Sequence, residues 1–175
     1  AKEAIIKIKG NIVDAVKKSD KYSREELAQG AFLSGRAINI SKTTAPHAIS
    51  YPLTSNFGIP HGHAVALTLG YFFEINENFE DATLAQDKRG ADYIKNSMKQ
   101  LRAILKWDSP EESREKWLSL MKDCGLATNF TEMNLKNLNI EDILRKVNEL
   151  RLSNHPIKIS QKDIRNILLF LSLKN

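Results

Sequence analysis

Apolar residues Ile5, Ile8, Ile12 and Val16 recur at spacings of three and four while Lys7, Lys9 and Lys17 fall on the other side, which predicts an amphipathic helix over Ala4 to Val16. Ser23 with Glu26 three residues on is a capping-box pattern and predicts a second helix from near Arg24. Ala28, Gly30, Ala31, Ser34, Gly35 and Ala37 then form a small-residue surface. Glycine costs about 1 kcal/mol against alanine inside a helix, so the two glycines predict close approach of another backbone. Pro46 is expected to end or kink this segment, and Pro52, Gly58 and Pro60 to delay the next long helix until about His61. Ala64 to Phe73 is almost wholly apolar and predicts a helix buried on most sides.

After a loop from Asn76 to Asp81, Ala91, Ile94, Met98, Leu101 and Leu105 repeat the helical spacing. Ser109-Pro110-Glu111-Glu112 supplies a cap, a first-turn proline and acids at the positive end of a further helix, which holds Trp117, Leu118 and Met121 and stops at Gly125. Thr128 to Asn139 is polar and asparagine-rich and reads as a connection. A short helix is predicted over Ile140 to Leu150. His155-Pro156 then turns the chain, and Ser160 with Asp163 caps a last helix carrying Ile164, Ile167, Leu168 and Leu171. No period-2 strand and no glycine-rich strand-to-helix turn occur, so the pattern predicts an all-α fold of six to eight helices, one domain over residues 1–175, with no nucleotide-binding unit of its own.

Composition sharpens this in three places. The stretch Ser34 to Phe73 holds three of the four histidines, His47, His61 and His63, yet its only charges are Arg36 and Lys42, in a chain that is 27% charged. Such scarcity predicts an interior, where an imidazole needs a partner or a metal and an unpaired cation is costly. The net charge of +5 is dispersed among acids, which argues against nucleic acid, and no apolar run is long enough to span a membrane. The single cysteine, Cys124, permits no internal disulfide and fits a core position in a cytoplasmic protein. The chain opens Ala-Lys-Glu inside a helical pattern and is expected to be a fragment of something longer.

His47 and His61 are fourteen residues apart, about 21 Å on one straight helix, too far for one ion. A helix ending near Ser50, a proline turn and a new helix from His61 would bring them together. Imidazole suits zinc and ferrous iron alike, and on spacing alone each ring could equally be a hydrogen-bonded interior histidine. His63 lies about 200° round the helix from His61 and is not expected to share an ion. His155 reads as structural or surface.

The segment PHAISYPLTSNFGIPHGHAVALTL resembles the iron-containing alcohol dehydrogenases, the metal-dependent branch of the dehydroquinate-synthase-like superfamily. The likeness extends over the whole chain as the helical C-terminal domain, through the small-residue helix, the apolar helix after Gly62 and the Asn154-His155-Pro156 turn. It implies an NAD(P)-linked alcohol dehydrogenase or aldehyde reductase in which iron or zinc acts as Lewis acid, with His47 and His61 as two ligands. Two further ligands, an aspartate and a histidine, would precede Ala1, as would the nucleotide-binding domain, so the chain alone is expected to be inactive.

Tyr51 stands where many members have a histidine beside substrate and nicotinamide. It could donate a hydrogen bond to the substrate oxygen, although phenols ionise too high to shuttle protons well at neutral pH, or it could simply close the pocket wall. Thr43-Thr44-Ala45-Pro46-His47 is similar to a sub-branch that includes phosphonoacetaldehyde reductases. In that sub-branch Arg36 and Lys42 would suit an anionic substrate; elsewhere they would pair with carboxylates of the missing domain. The partners so implied are that domain, a small alcohol or aldehyde, and further copies in a homo-oligomer. A dehydroquinate-synthase-like lyase and a non-catalytic helical interaction module with core histidines are the alternatives.

Overall fold

The computed structural model describes residues 1–135 and 138–173. Nine α-helices and one 3-10 turn make up its regular structure, and an isolated bridge between Ala85 and Ile157 is the only extended pairing among the described residues. Helices α1 (Lys2–Lys17) and α2 (Lys21–Ser41) form an antiparallel hairpin. The second begins three residues before the predicted point, because Asp20 is the cap: its side chain accepts from the Ser23 N–H at 2.9 Å, and Ser23 itself is buried in the first turn. The predicted close approach occurs at Gly30, where a Cβ would lie 2.6 Å from Ile8 Cγ1 on α1, and not at Gly35, which has nothing within 4 Å. Lys7 and Glu26 bridge the same two helices at 2.8 Å.

The charge-poor stretch is not one interior. Residues 34–42 lie on the outer part of α2 and its end, where Ile40 is 86% exposed, so the lack of charge there leaves an apolar surface uncovered. Arg36 and Lys42 are accordingly exposed rather than buried. Burial starts at Ala45 and runs through α3 (Ala45–Phe57) and α4 (His61–Asn78). Pro46 opens α3 instead of ending α2, since a first-turn residue needs no N–H donor, and Pro52 is carried inside the helix. The break between α2 and α3 is made by Lys42, with φ 61° and ψ −171°.

Helix α4 is the central element. Its Ala64, Leu67 and Phe72 share one core with Ile49 and Leu53 of α3 and with Ile164, Ile167, Leu168 and Leu171 of α9 (Gln161–Ser172). Helix α5 (Ala91–Leu105) and helix α6 (Pro110–Asp123) close its other flank, where Trp117 donates its indole N–H to the Ala66 carbonyl at 2.8 Å. Arg102 reaches Glu77 at 2.7 Å in the same layer. The connection after Gly125 folds on a buried Phe130, with Lys136 and Asn137 outside the described residues. The segment read as one helix over Ile140 to Leu150 is two, α7 (Ile140–Arg145) and α8 (Glu149–Leu152), because Asn148 accepts from the Arg151 N–H at 2.9 Å and starts a new turn. That division and the helical run through Pro52 bring the count to nine. The Ser160–Asp163 capping box on α9 is present. His155 is buried and Cys124 half-buried.

Candidate metal centre

Gly58 ends α3 in the left-handed conformation, φ 67° and ψ 14°, which a Cβ would disfavour. Gly58, Ile59 and Pro60 turn the chain back along α3, and α4 starts with His61 beside Ser50, whose Oγ lies 3.3 Å from His61 Nδ1. The helix does not end near Ser50 as the sequence suggests, yet the two imidazoles still meet: the His47 and His61 ring centroids are 5.4 Å apart at an interplanar angle of 59°.

This pair fits a shared ion. Two imidazoles each about 2.1 Å from one tetrahedral centre have centroids separated by on the order of 5.4 Å. Ser50 fixes the tautomer: its hydroxyl donates to the His47 carbonyl at 2.8 Å, leaving the oxygen to accept from His61 Nδ1 at 3.3 Å and the His61 Nε2 lone pair free. Burial holds the His47 pKa below its ordinary value, and the neighbouring His61 and Arg151 push the same way, so His47 keeps a lone pair at neutral pH. No group of three or more His, Cys, Asp or Glu side chains placed to hold a metal occurs among the described residues. The donor set here is two nitrogens.

Tyr51, one turn beyond His47, has its ring centroid 5.6 Å from that of His61. Over its face, 4.9 Å from the centroid, lies the guanidinium of Arg151, which also donates to Thr43 Oγ1 at 2.7 Å. Lys42 and Arg151 line one cavity of about 490 Å³, whereas Arg36 is on the exposed face of α2 and does not line it. The Lys42 backbone, next to Thr43, sits in a region that costs a non-glycine residue about 1–3 kcal/mol. His63 is turned away and donates to the Ala127 carbonyl at 2.7 Å.

Two members of this cluster escape a reading of the sequence. Ser50 had a usable signal, since a residue three beyond His47 shares its helix face. Arg151 had none, because it is 100 or more positions along the chain from Thr43, as their separation of 108 shows, and reaches the cluster only through tertiary packing.

Residues 1–171 match the Fe-containing alcohol dehydrogenase family, C-terminal. The chain belongs to the iron-containing alcohol dehydrogenase family. Phosphonoacetaldehyde reductase of Streptomyces viridochromogenes is 33% identical over 127 residues, 73% of this chain and 30% of that protein. Among solved structures, sulfoacetaldehyde reductase from Bifidobacterium kashiwanohense in complex with NAD+ superposes with a TM-score of 0.78 at 25% identity, covering 99% of this chain and 43% of that one. The iron-containing alcohol dehydrogenase of Thermotoga maritima shares the fold, with a TM-score of 0.72 at 22% identity over 97% of this chain and 40% of that one. The chain thus spans less than half the length of the relatives it matches.

Proposed function

We propose that this chain is the single helical C-terminal domain of an NAD(P)-linked, metal-dependent alcohol dehydrogenase or aldehyde reductase, and that His47 and His61 are two of the metal's protein ligands. The observation that carries the reading is the 5.4 Å approach of two rings fourteen residues apart, one of them with Nε2 left free by Ser50. A divalent iron or zinc ion held there would polarise the substrate oxygen for hydride transfer to or from a nicotinamide. Tyr51 borders that position and supplies a hydroxyl donor to the substrate oxygen. Ser50 orients His61, and burial keeps His47 neutral.

The substrate is a short aldehyde or alcohol. The names of the two reductase relatives support an anionic substituent, toward which Lys42 and, from farther out on α2, Arg36 add positive charge. With two nitrogens as its share of the donor set among the described residues, the chain alone is inactive; the remaining ligands and the nicotinamide come with an N-terminal nucleotide-binding domain, in a cytoplasmic homo-oligomer. A core-histidine module does not suit His61, which is exposed, and the family match favours a dehydrogenase over a lyase.

The test uses the full-length parent. Metal analysis and NAD(P)H-linked turnover are measured for the wild type and for His61→Ala. Loss of both bound metal and turnover is expected, and undiminished activity in His61→Ala would overturn the assignment.

A further inference from the structure

Four arginines are half-buried, and three of them, Arg102, Arg114 and Arg165, each pair with a glutamate. Arg151 is the exception: no carboxylate lies within 4 Å of it among the described residues. Its one side-chain hydrogen bond goes to a neutral hydroxyl, Thr43 Oγ1. A guanidinium has five N–H donors in a planar fork, so most of its capacity is unspent, and a partly desolvated cation without a counter-charge is a costly arrangement to keep. Around it the cavity of about 490 Å³ adds the Lys42 side chain and the amides of Asn39, Asn148 and Asn154, and among the described residues no acid lines it and Lys42 has no carboxylate partner either.

We propose that Arg151, with Thr43 and Lys42, is the seat of a tetrahedral oxyanion, a phosphonate or sulfonate, carried by the aldehyde substrate. Paired N–H donors of a guanidinium match two oxygens of such a group, a threonine hydroxyl can serve a third, and the mobile ammonium adds charge from the rim. The position suits a short molecule. Arg151 and His61 flank the same ring, at 4.9 and 5.6 Å from the Tyr51 centroid, so an anion on Arg151 leaves the other end of a two-carbon chain close to Tyr51 and the histidine pair. Arg151 is then a specificity-determining residue.

The proposal rests on the dehydrogenase reading for the identity of the aldehyde, and binding tests it separately from turnover. Phosphonoacetate, sulfoacetate and acetate are titrated calorimetrically into the full-length protein and into Arg151→Ala, Arg151→Lys and Thr43→Val. Expected are tight binding of phosphonoacetate or sulfoacetate by the wild type, a loss of tenfold or more in Arg151→Ala and a smaller loss in the other two; which analogue binds more tightly names the anion. The ratio of kcat/KM for the matching anionic aldehyde over propionaldehyde should fall at least tenfold in Arg151→Ala. Should Arg151→Ala fail to fold by circular dichroism, Arg151→Lys and Thr43→Val carry the comparison. Wild-type turnover of propionaldehyde with no binding of either analogue, or equal binding by wild type and variants, overturns the oxyanion seat and leaves the dehydrogenase reading standing. Analogue binding that depends on Arg151 in a protein whose His61→Ala form still turns over would do the reverse.

Discussion

His155 ties the last turn of the chain to the central helix, and it does so only while uncharged. Its Nε2 donates to Asn76 Oδ1 at 2.8 Å, its ring lies 5.0 Å from that of Phe72, and its Nδ1 is buried with no partner. Protonation would add an N–H with nothing to receive it and a charge in an apolar pocket, so burial pushes the pKa down from 6.5 to about 3. In the unfolded chain the imidazole binds a proton near pH 6.5, and in the folded chain it does not until about pH 3. Because the unfolded state holds more protons across that window, stability is fully present above the unfolded value and falls as the pH drops through it. The slope is about 1.4 kcal/mol per pH unit, so between pH 7.5 and pH 4.5 this one group removes on the order of 3 kcal/mol. His155→Gln keeps a donor for Asn76 and cannot titrate. Urea unfolding of both proteins, followed by circular dichroism at the two pH values, should show the wild type losing on the order of 3 kcal/mol more than the variant, since contributions common to both cancel. Parallel pH dependence in the two proteins would refute the account.

Two further substitutions test the hairpin and the site. Gly30→Ala places a methyl 2.6 Å from Ile8 Cγ1, and the overpacking cost of about 1–3 kcal/mol outweighs a propensity gain of about 1 kcal/mol, whereas Gly35→Ala meets nothing within 4 Å and should stabilise by about 0.5–1 kcal/mol. Thermal melts of the two variants should therefore shift in opposite directions, and a common shift would show that α1 yields more easily than its packing indicates. Ser50→Ala removes the partner of His61 Nδ1 and should weaken metal binding by the full-length protein about 10–100-fold in a chelator competition, the usual cost of losing a group that orients a ligand. Unaltered affinity would mean that packing alone holds the ring.

Local signals in the chain determined most of the fold. Apolar spacing placed α1, α5 and α9, the Ser160–Asp163 box capped the last helix where expected, and the apolar run after Gly62 marked the central element, since each depends on residues a few positions apart. The sequence also marked His47 and His61, through their spacing and the residues around them. It misjudged what lacks a local cause. Scarcity of charge looks the same in a core and on an uncovered surface, so residues 34–42 read as interior when most of them are exposed. Proline tells where a helix is interrupted or begun only once its neighbours are placed, and Pro46 began one. Contacts between elements at the histidines were decided by tertiary structure: a three-residue return along α3 set His61 against Ser50, and packing brought Arg151 from much farther along the chain onto Tyr51 and Thr43. Distance along the chain sets no bound on such contacts once helices pack, and that is why the histidine pair could be picked out in the sequence while Arg151 beside it could not.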